Sequence, residues 1–129
     1  MTEREAKQYS PLSLAFLGDA VYERLVRKRL LLSANMPVGK LHELTIKKVC
    51  AEFQAQAVDR ISDMLTESEA DIVKRGRNAS GMTVPKHASV AEYRKATSLE
   101  CLFGYLELIG DNDRIEEIFQ ACIEIDMQL

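Results

Sequence analysis

The stretch Leu14-Ala15-Phe16-Leu17-Gly18-Asp19-Ala20-Val21-Tyr22-Glu23 decides the fold class. Around it Leu12, Phe16, Leu17, Ala20, Val21, Leu25 and Leu32 recur at three- and four-residue steps, the spacing of an amphipathic helix. Ser10-Pro11 ahead of the run offers an N-cap followed by proline at the first helical position, and Asn35-Met36-Pro37 ends it. The pattern predicts a helix to about Leu32. A glycine inside such a helix costs roughly 1 kcal/mol relative to alanine, so Gly18 marks a place where another helix comes close. Asp19 follows it directly, a carboxylate beside Phe16, Leu17, Ala20 and Val21. An acid on an apolar face is expected to pair with a base or hold a cation.

Outward from this helix the pattern stays helical. Leu41, Leu44, Val49, Phe53, Ala57, Ile61 and Leu65 suggest one long segment, with room for a kink near Gln54 to Ala57. Thr66-Glu67-Ser68-Glu69 fits a capping box and opens a short helix ending near Arg77. Asn78 to His87 is the long stretch without helical periodicity. Ser89-Val90-Ala91-Glu92 is a second capping box, beginning a helix that Gly110 closes, and Asp111-Asn112-Asp113 caps a last helix through Ile125. No strand-like alternation, internal repeat or low-complexity run competes. The expectation is an all-α, single-domain bundle of five or six helices.

The later helix repeats the pairing of acid and glycine. Glu100 lies among Leu99, Cys101, Leu102 and Phe103, and Gly104 follows it one turn on. Two acids from two inward helix faces fit a carboxylate metal site better than a salt bridge. Gly76-Arg77-Asn78-Ala79-Ser80-Gly81 follows no strand and lacks the lysine and hydroxyl of a P-loop, which excludes a nucleotide cradle.

Composition sets the remaining bounds. With 129 residues, 47% of them hydrophobic and 29% charged, the chain suits one globular core and leaves no room for a second large module. Nowhere do apolar residues run for the ~18–20 positions of a membrane span, and the charged start, MTEREAKQYS, does not resemble a signal peptide. Cys50, Cys101 and Cys122 are odd in number, widely spaced and set in apolar stretches. They are expected to be buried free thiols of a cytoplasmic protein. The net charge of −3 is unevenly spread: residues 71–95 carry a local +4 and residues 96–129 a local −7. Positive charge gathered on one face permits nucleic-acid binding by an acidic protein.

The first quoted segment resembles the signature helix of the ribonuclease III catalytic domain, which reads glutamate-phenylalanine-leucine-glycine-aspartate-alanine-valine. Lys95-Ala96-Thr97-Ser98-Leu99-Glu100-Cys101-Leu102-Phe103-Gly104 is similar to that family's later metal-binding helix. The resemblance runs from about Tyr9 to Asp126. Two family acids are replaced, by Ala15 and Thr97, and no double-stranded-RNA-binding domain follows. In these departures, and in Arg75-Gly76-Arg77-Asn78-Ala79, Gly81 and Thr83-Val84-Pro85-Lys86, the chain resembles the stand-alone Mini-ribonuclease III form.

The resemblance implies a homodimeric, Mg²⁺-dependent endoribonuclease that cuts double-stranded RNA. The implied substrate is the precursor of large-subunit (23S) ribosomal RNA, with ribosomal protein L3 as helper. Asp19 and Glu100 become the catalytic metal ligands, Thr97 a ligand through water, and Phe16 the dimer contact. Glu23, one turn after Asp19, is expected to pair with Arg27. Lys74, Arg75, Arg77, Asn78, Lys86 and His87 are the expected RNA-binding residues. Two other readings are a non-catalytic RNA-binding relative, which a cleavage assay with Mg²⁺ against EDTA separates from the enzyme, and a helical adaptor, which predicts neither Mg²⁺-dependent RNA binding nor cutting.

Overall fold

Ser10 accepts a hydrogen bond from the Ser13 amide at 3.2 Å, and Pro11 opens a helix with no amide to leave unpaired. This helix, α2 (Pro11–Ser33), ends where Ala34 turns extended. It is preceded by α1 (Glu3–Ala6) and followed by α3 (Val38–Val49), α4 (Ala51–Ile61), a 3-10 turn (Ser62–Met64), α5 (Glu67–Arg77), α6 (Val90–Ile109) and α7 (Asn112–Ile123). The computed structural model describes residues 1–79 and 89–124. Among them there are seven α-helices and no strand.

The expected caps are all in place. Thr66 and Glu69 form the box that opens α5, Ser89 and Glu92 the one that opens α6, and Asp111 accepts from the Arg114 amide to start α7. Gly110 stops α6 at φ +74°, a left-handed conformation that costs glycine little.

Two elements depart from expectation, and together they account for the larger helix count. The long segment after Pro37 breaks at Cys50, which is extended, and continues as a regular helix through Gln54 to Ala57. No proline or glycine causes the break. The carbonyls freed at the end of α3 instead find outside donors: Tyr22 Oη gives a 2.7 Å bond to Lys48 O, and Gln54 Nε2 a 3.0 Å bond to Val49 O. The break also leaves Cys50 exposed, correcting the expectation of three buried thiols; Cys101 and Cys122 are buried. Burial pushes each of these two thiols up to about 12, so both stay protonated. The other departure is α1, too short to show a period. It is held by a Thr2–Glu5 capping box and by Tyr105 Oη donating to Glu3 at 3.0 Å.

Helix α6 is the axle. Its residues 96–99 and 101–106 are buried on every side, as a helix that is apolar all round must be. Helices α2, α4, α5 and α7 pack around it. Tyr22 closes the core beside it, with its ring 5.6 Å from Phe103 and 5.9 Å from Phe119. At the rim Arg114 joins α7 to α5, bonding Glu69 through Nε at 2.8 Å and Nη2 at 2.7 Å and also donating to Met64 O. No helix among the described residues is long and apolar enough to cross a membrane.

Candidate active site

Helices α2 and α6 touch backbone to backbone. A Cβ on Gly18 would lie 1.6 Å from the Glu100 carbonyl oxygen, and one on Gly104 would lie 2.0 Å from the Leu14 carbonyl oxygen. Any side chain at either position collides, so each glycine exists for the crossing. The same contact sets Asp19, the residue after Gly18, against Glu100. Burial, then the neighbouring Asp19 charge, push Glu100 up to about 8. Two carboxyls in contact resist joint ionisation, an arrangement that a divalent cation relieves.

Burial is less symmetric than the sequence suggests. Glu100 is half-buried, but Asp19 is exposed, as are Phe16 and Ala20. The expectation that Asp19 lies on an inward apolar face is therefore corrected. It sits at the edge of the crossing, while Leu14, Ala15, Gly18, Val21 and Tyr22 turn inward. Phe16 is 85% exposed, which removes a role in the monomer's own core. Glu23 meets Arg27 at 3.3 Å, as the spacing suggests.

Thr97, one turn before Glu100, is buried, and its hydroxyl donates to Tyr93 O at 3.0 Å. Its proton is committed to that carbonyl. Gln54 was not singled out by sequence. It is 2% exposed on α4, with its amide donating to Val49 O at 3.0 Å and its Oε1 without a partner. The signal was present: Gln54 shares the inward helix face of Val58 and Ile61, where a polar residue is out of place. Among the described residues no three His, Cys, Asp or Glu side chains cluster, so the protein's own carboxylates here number two. Two carboxylates form a hard oxygen donor pair, the kind Mg²⁺ accepts while keeping several waters.

The expected RNA residues divide. Lys74, Arg77 and Asn78 are exposed at the end of α5. Arg75 is half-buried, and its guanidinium donates to the carbonyls of Lys7 and Tyr9, both at 3.1 Å, fastening the N-terminal segment to α5. Gly76 is a packing glycine, since a Cβ there would meet Cys101 Sγ at 2.7 Å. Lys86 and His87 lie outside the described residues. Between the start of α2 and the end of α5 runs an open groove of about 560 Å³ lined by Ser10, Leu12, Lys74 and Asn78 among others.

A helical fold that brings two acids together across a glycine crossing defines a nuclease of the ribonuclease III class, and the comparisons agree. The Ribonuclease III domain model matches residues 12–111, and the chain belongs to that family of endoribonucleases. It is similar to Mini-ribonuclease 3 of Thermoanaerobacter sp. (strain X514), 44% identical over 125 residues covering 97% of this chain and 88% of the relative. It is likewise similar to Mini-ribonuclease 3 of Symbiobacterium thermophilum, 46% identical over 114 residues and 88% of both chains. A crystal structure of a Fusobacterium nucleatum protein superimposes with a TM-score of 0.85 at 33% identity, covering 93% of this chain and 92% of the other. The class acts on double-stranded RNA and depends on divalent metal.

Proposed function

We propose that this protein is a homodimeric, Mg²⁺-dependent endoribonuclease that cuts double-stranded RNA at Asp19 and Glu100. The backbone crossing of α2 and α6 at Gly18 and Gly104, which brings Asp19 to the neighbourhood of Glu100, is the observation that carries the reading. Mg²⁺ bound there lowers the pKa of a water and offsets charge building on the phosphate. The chain's own residues do the rest. Asp19, exposed at the edge of the crossing, reaches toward the substrate phosphate. Glu100, half-buried, would serve in its ionised form as the second ligand to the cation. Thr97, one turn away, orients a water as acceptor.

Phe16 supports the dimer. With Leu12 and Ala20 it forms an exposed apolar stripe at four-residue spacing on α2, an arrangement that water penalises and a second copy would cover. Two-fold-related sites would then address the two strands of one duplex. RNA grip falls to Lys74, Arg77 and Asn78, joined by Lys86 and His87. Arg75 contributes through what its fastened guanidinium leaves free. A-form RNA presents phosphates and 2′-hydroxyls across a shallow groove, so charge and shape dominate over base reading.

The natural substrate we assign is the 23S ribosomal RNA precursor, trimmed in the cytoplasm by this single catalytic domain with ribosomal protein L3 as helper. The resemblance to Mini-ribonuclease 3 is what supports it. Incubating purified protein with that precursor, in Mg²⁺ or EDTA and with or without the ribosomal protein, and mapping fragment ends tests it. Discrete Mg²⁺-dependent ends near the mature termini are expected. Cleavage of generic duplexes with none in the precursor would remove the substrate and keep the enzyme.

A further inference from the structure

Along α5 runs a feature that the carboxylate site does not use. The groove between the start of α2 and the end of α5, about 560 Å³, is lined by Ser10, Pro11, Asp71, Lys74, Arg75 and Asn78 among others. A second groove of about 410 Å³ shares Asp71 and Lys74 with it and continues between Lys7 and Ser68. One wall of this trench is α5; the other is the N-terminal segment. Arg75 fastens that segment through the Lys7 and Tyr9 carbonyls, both at 3.1 Å, and Lys7 Nζ donates to Ser68 Oγ at 3.1 Å. Carbonyls and a hydroxyl satisfy a cation's hydrogens without cancelling its charge. Lys7, Lys74 and Arg75 therefore outnumber the acids of the trench, Asp71 and Glu67. Next to Ser10 in the chain, Tyr9 is 45% exposed.

The dimensions select the occupant. A space of this volume suits a ligand of small-molecule size, whereas an A-form duplex is recognised from outside, across a wide and shallow groove. Cations along a trench that tracks one backbone, with an aromatic ring beside it, match an unpaired nucleic-acid strand. The acid gives base amino groups an acceptor. Lys74 and Asn78 belong both to this groove and to the RNA grip described above, so strand and duplex meet at the end of α5. We propose that the groove binds an unpaired RNA strand, the single-stranded flank continuous with the duplex being cut. Lys74 takes its phosphates, Asp71 and Asn78 its base edges, and Tyr9 stacks a base. The inference rests on the double-stranded-RNA reading above and adds to it a preference for substrates with unpaired flanks.

The test compares binding of the wild-type protein, in EDTA, to a blunt RNA duplex and to the same duplex carrying an unpaired tail. A tail of about six nucleotides, placed at the 5′ or the 3′ end, should tighten binding about fivefold from one of the two ends. A 4-thiouridine within that tail should photo-crosslink to residues 7–12 and 68–79, the two walls of the trench. Ala79→Phe fills the groove from its lining and alters neither the proposed metal site nor the RNA grip. It should abolish the gain from the tail while blunt-duplex affinity and cleavage stay unchanged. Equal affinity for blunt and tailed duplexes, crosslinks confined to other segments, or a folded Ala79→Phe that keeps the gain overturns the groove assignment and leaves the nuclease. If the wild-type protein neither binds the blunt duplex nor cuts it in Mg²⁺, the RNA reading falls and takes this inference with it.

Discussion

The Glu100 carbonyl oxygen occupies the space a Cβ on Gly18 would need, 1.6 Å from that position. Backbone contact this close does more than pack two helices. It also places a residue one step along α2, Asp19, beside the helix turn that carries Glu100. The penalty of a mid-helix glycine, roughly 1 kcal/mol, is offset by that placement.

The crossing should resist enlargement. Gly104→Ala adds a methyl 2.0 Å from the Leu14 carbonyl oxygen, and although alanine favours helix, overpacking costs typically about 1–3 kcal/mol. The variant should melt several degrees lower and lose most cleavage, because parting the helices parts the acids. Calorimetry together with a cleavage assay checks it; unchanged Tm and rate would mean the helices separate freely.

Phe16→Ala should dissociate the dimer with little effect on the protomer's own packing, since the ring is 85% exposed. Sedimentation at micromolar concentration should show a single species of half the mass with helical circular dichroism intact. A dimer of undiminished stability would place the interface on another face.

The basic end of α5 divides into two kinds of residue. Replacing Lys74 and Arg77 with alanine should weaken binding to all duplexes alike and flatten the salt dependence by about one phosphate per lost contact. Arg75→Ala should instead lower Tm by freeing the segment around Lys7 and Tyr9. Salt-titrated binding and thermal melts separate the two. Loss of affinity from Arg75→Ala at unchanged Tm would return that residue to the RNA surface.

Burial, and then Asp19, raise Glu100 from 4.5 to about 8. Between those values the folded protein holds a proton that the unfolded chain has released. In EDTA, stability should therefore fall as pH rises through that window. Glu100→Gln, which cannot ionise, should lack this part of the slope and be the more stable protein at pH 8.5. Melts of both proteins at pH 5 and 8.5 decide it; parallel losses would locate the pH response elsewhere.

Local chemistry was legible where it is written in adjacent residues. Ser10, Thr66, Ser89 and Asp111 each announce a helix start with one cap, and Gly110 announces a stop. Gly18 and Gly104 announced the crossing. The break at Cys50 was not readable, because its hydrogen-bond donors come from Tyr22 on another helix and from Gln54. Asp19 looked buried because its neighbours are apolar, yet Phe16 and Ala20 also face outward; an interface stripe and a core stripe have the same period. Gln54 escaped notice for a related reason, since only the break before α4 gives a polar residue on an apolar face a carbonyl to hold.

Single-turnover cleavage of a duplex RNA at saturating RNA and Mg²⁺, comparing wild type with Asp19→Asn and Glu100→Gln, tests the central claim most directly. Each substitution removes a carboxylate charge at nearly constant volume. Each should lower the rate by at least about a thousandfold, some 4 kcal/mol of lost transition-state stabilisation, with Tm at pH 7 not reduced and the oligomeric state unchanged. A folded variant of either kind that cuts within a few-fold of the wild-type rate would contradict the assignment of that acid and, with it, the site.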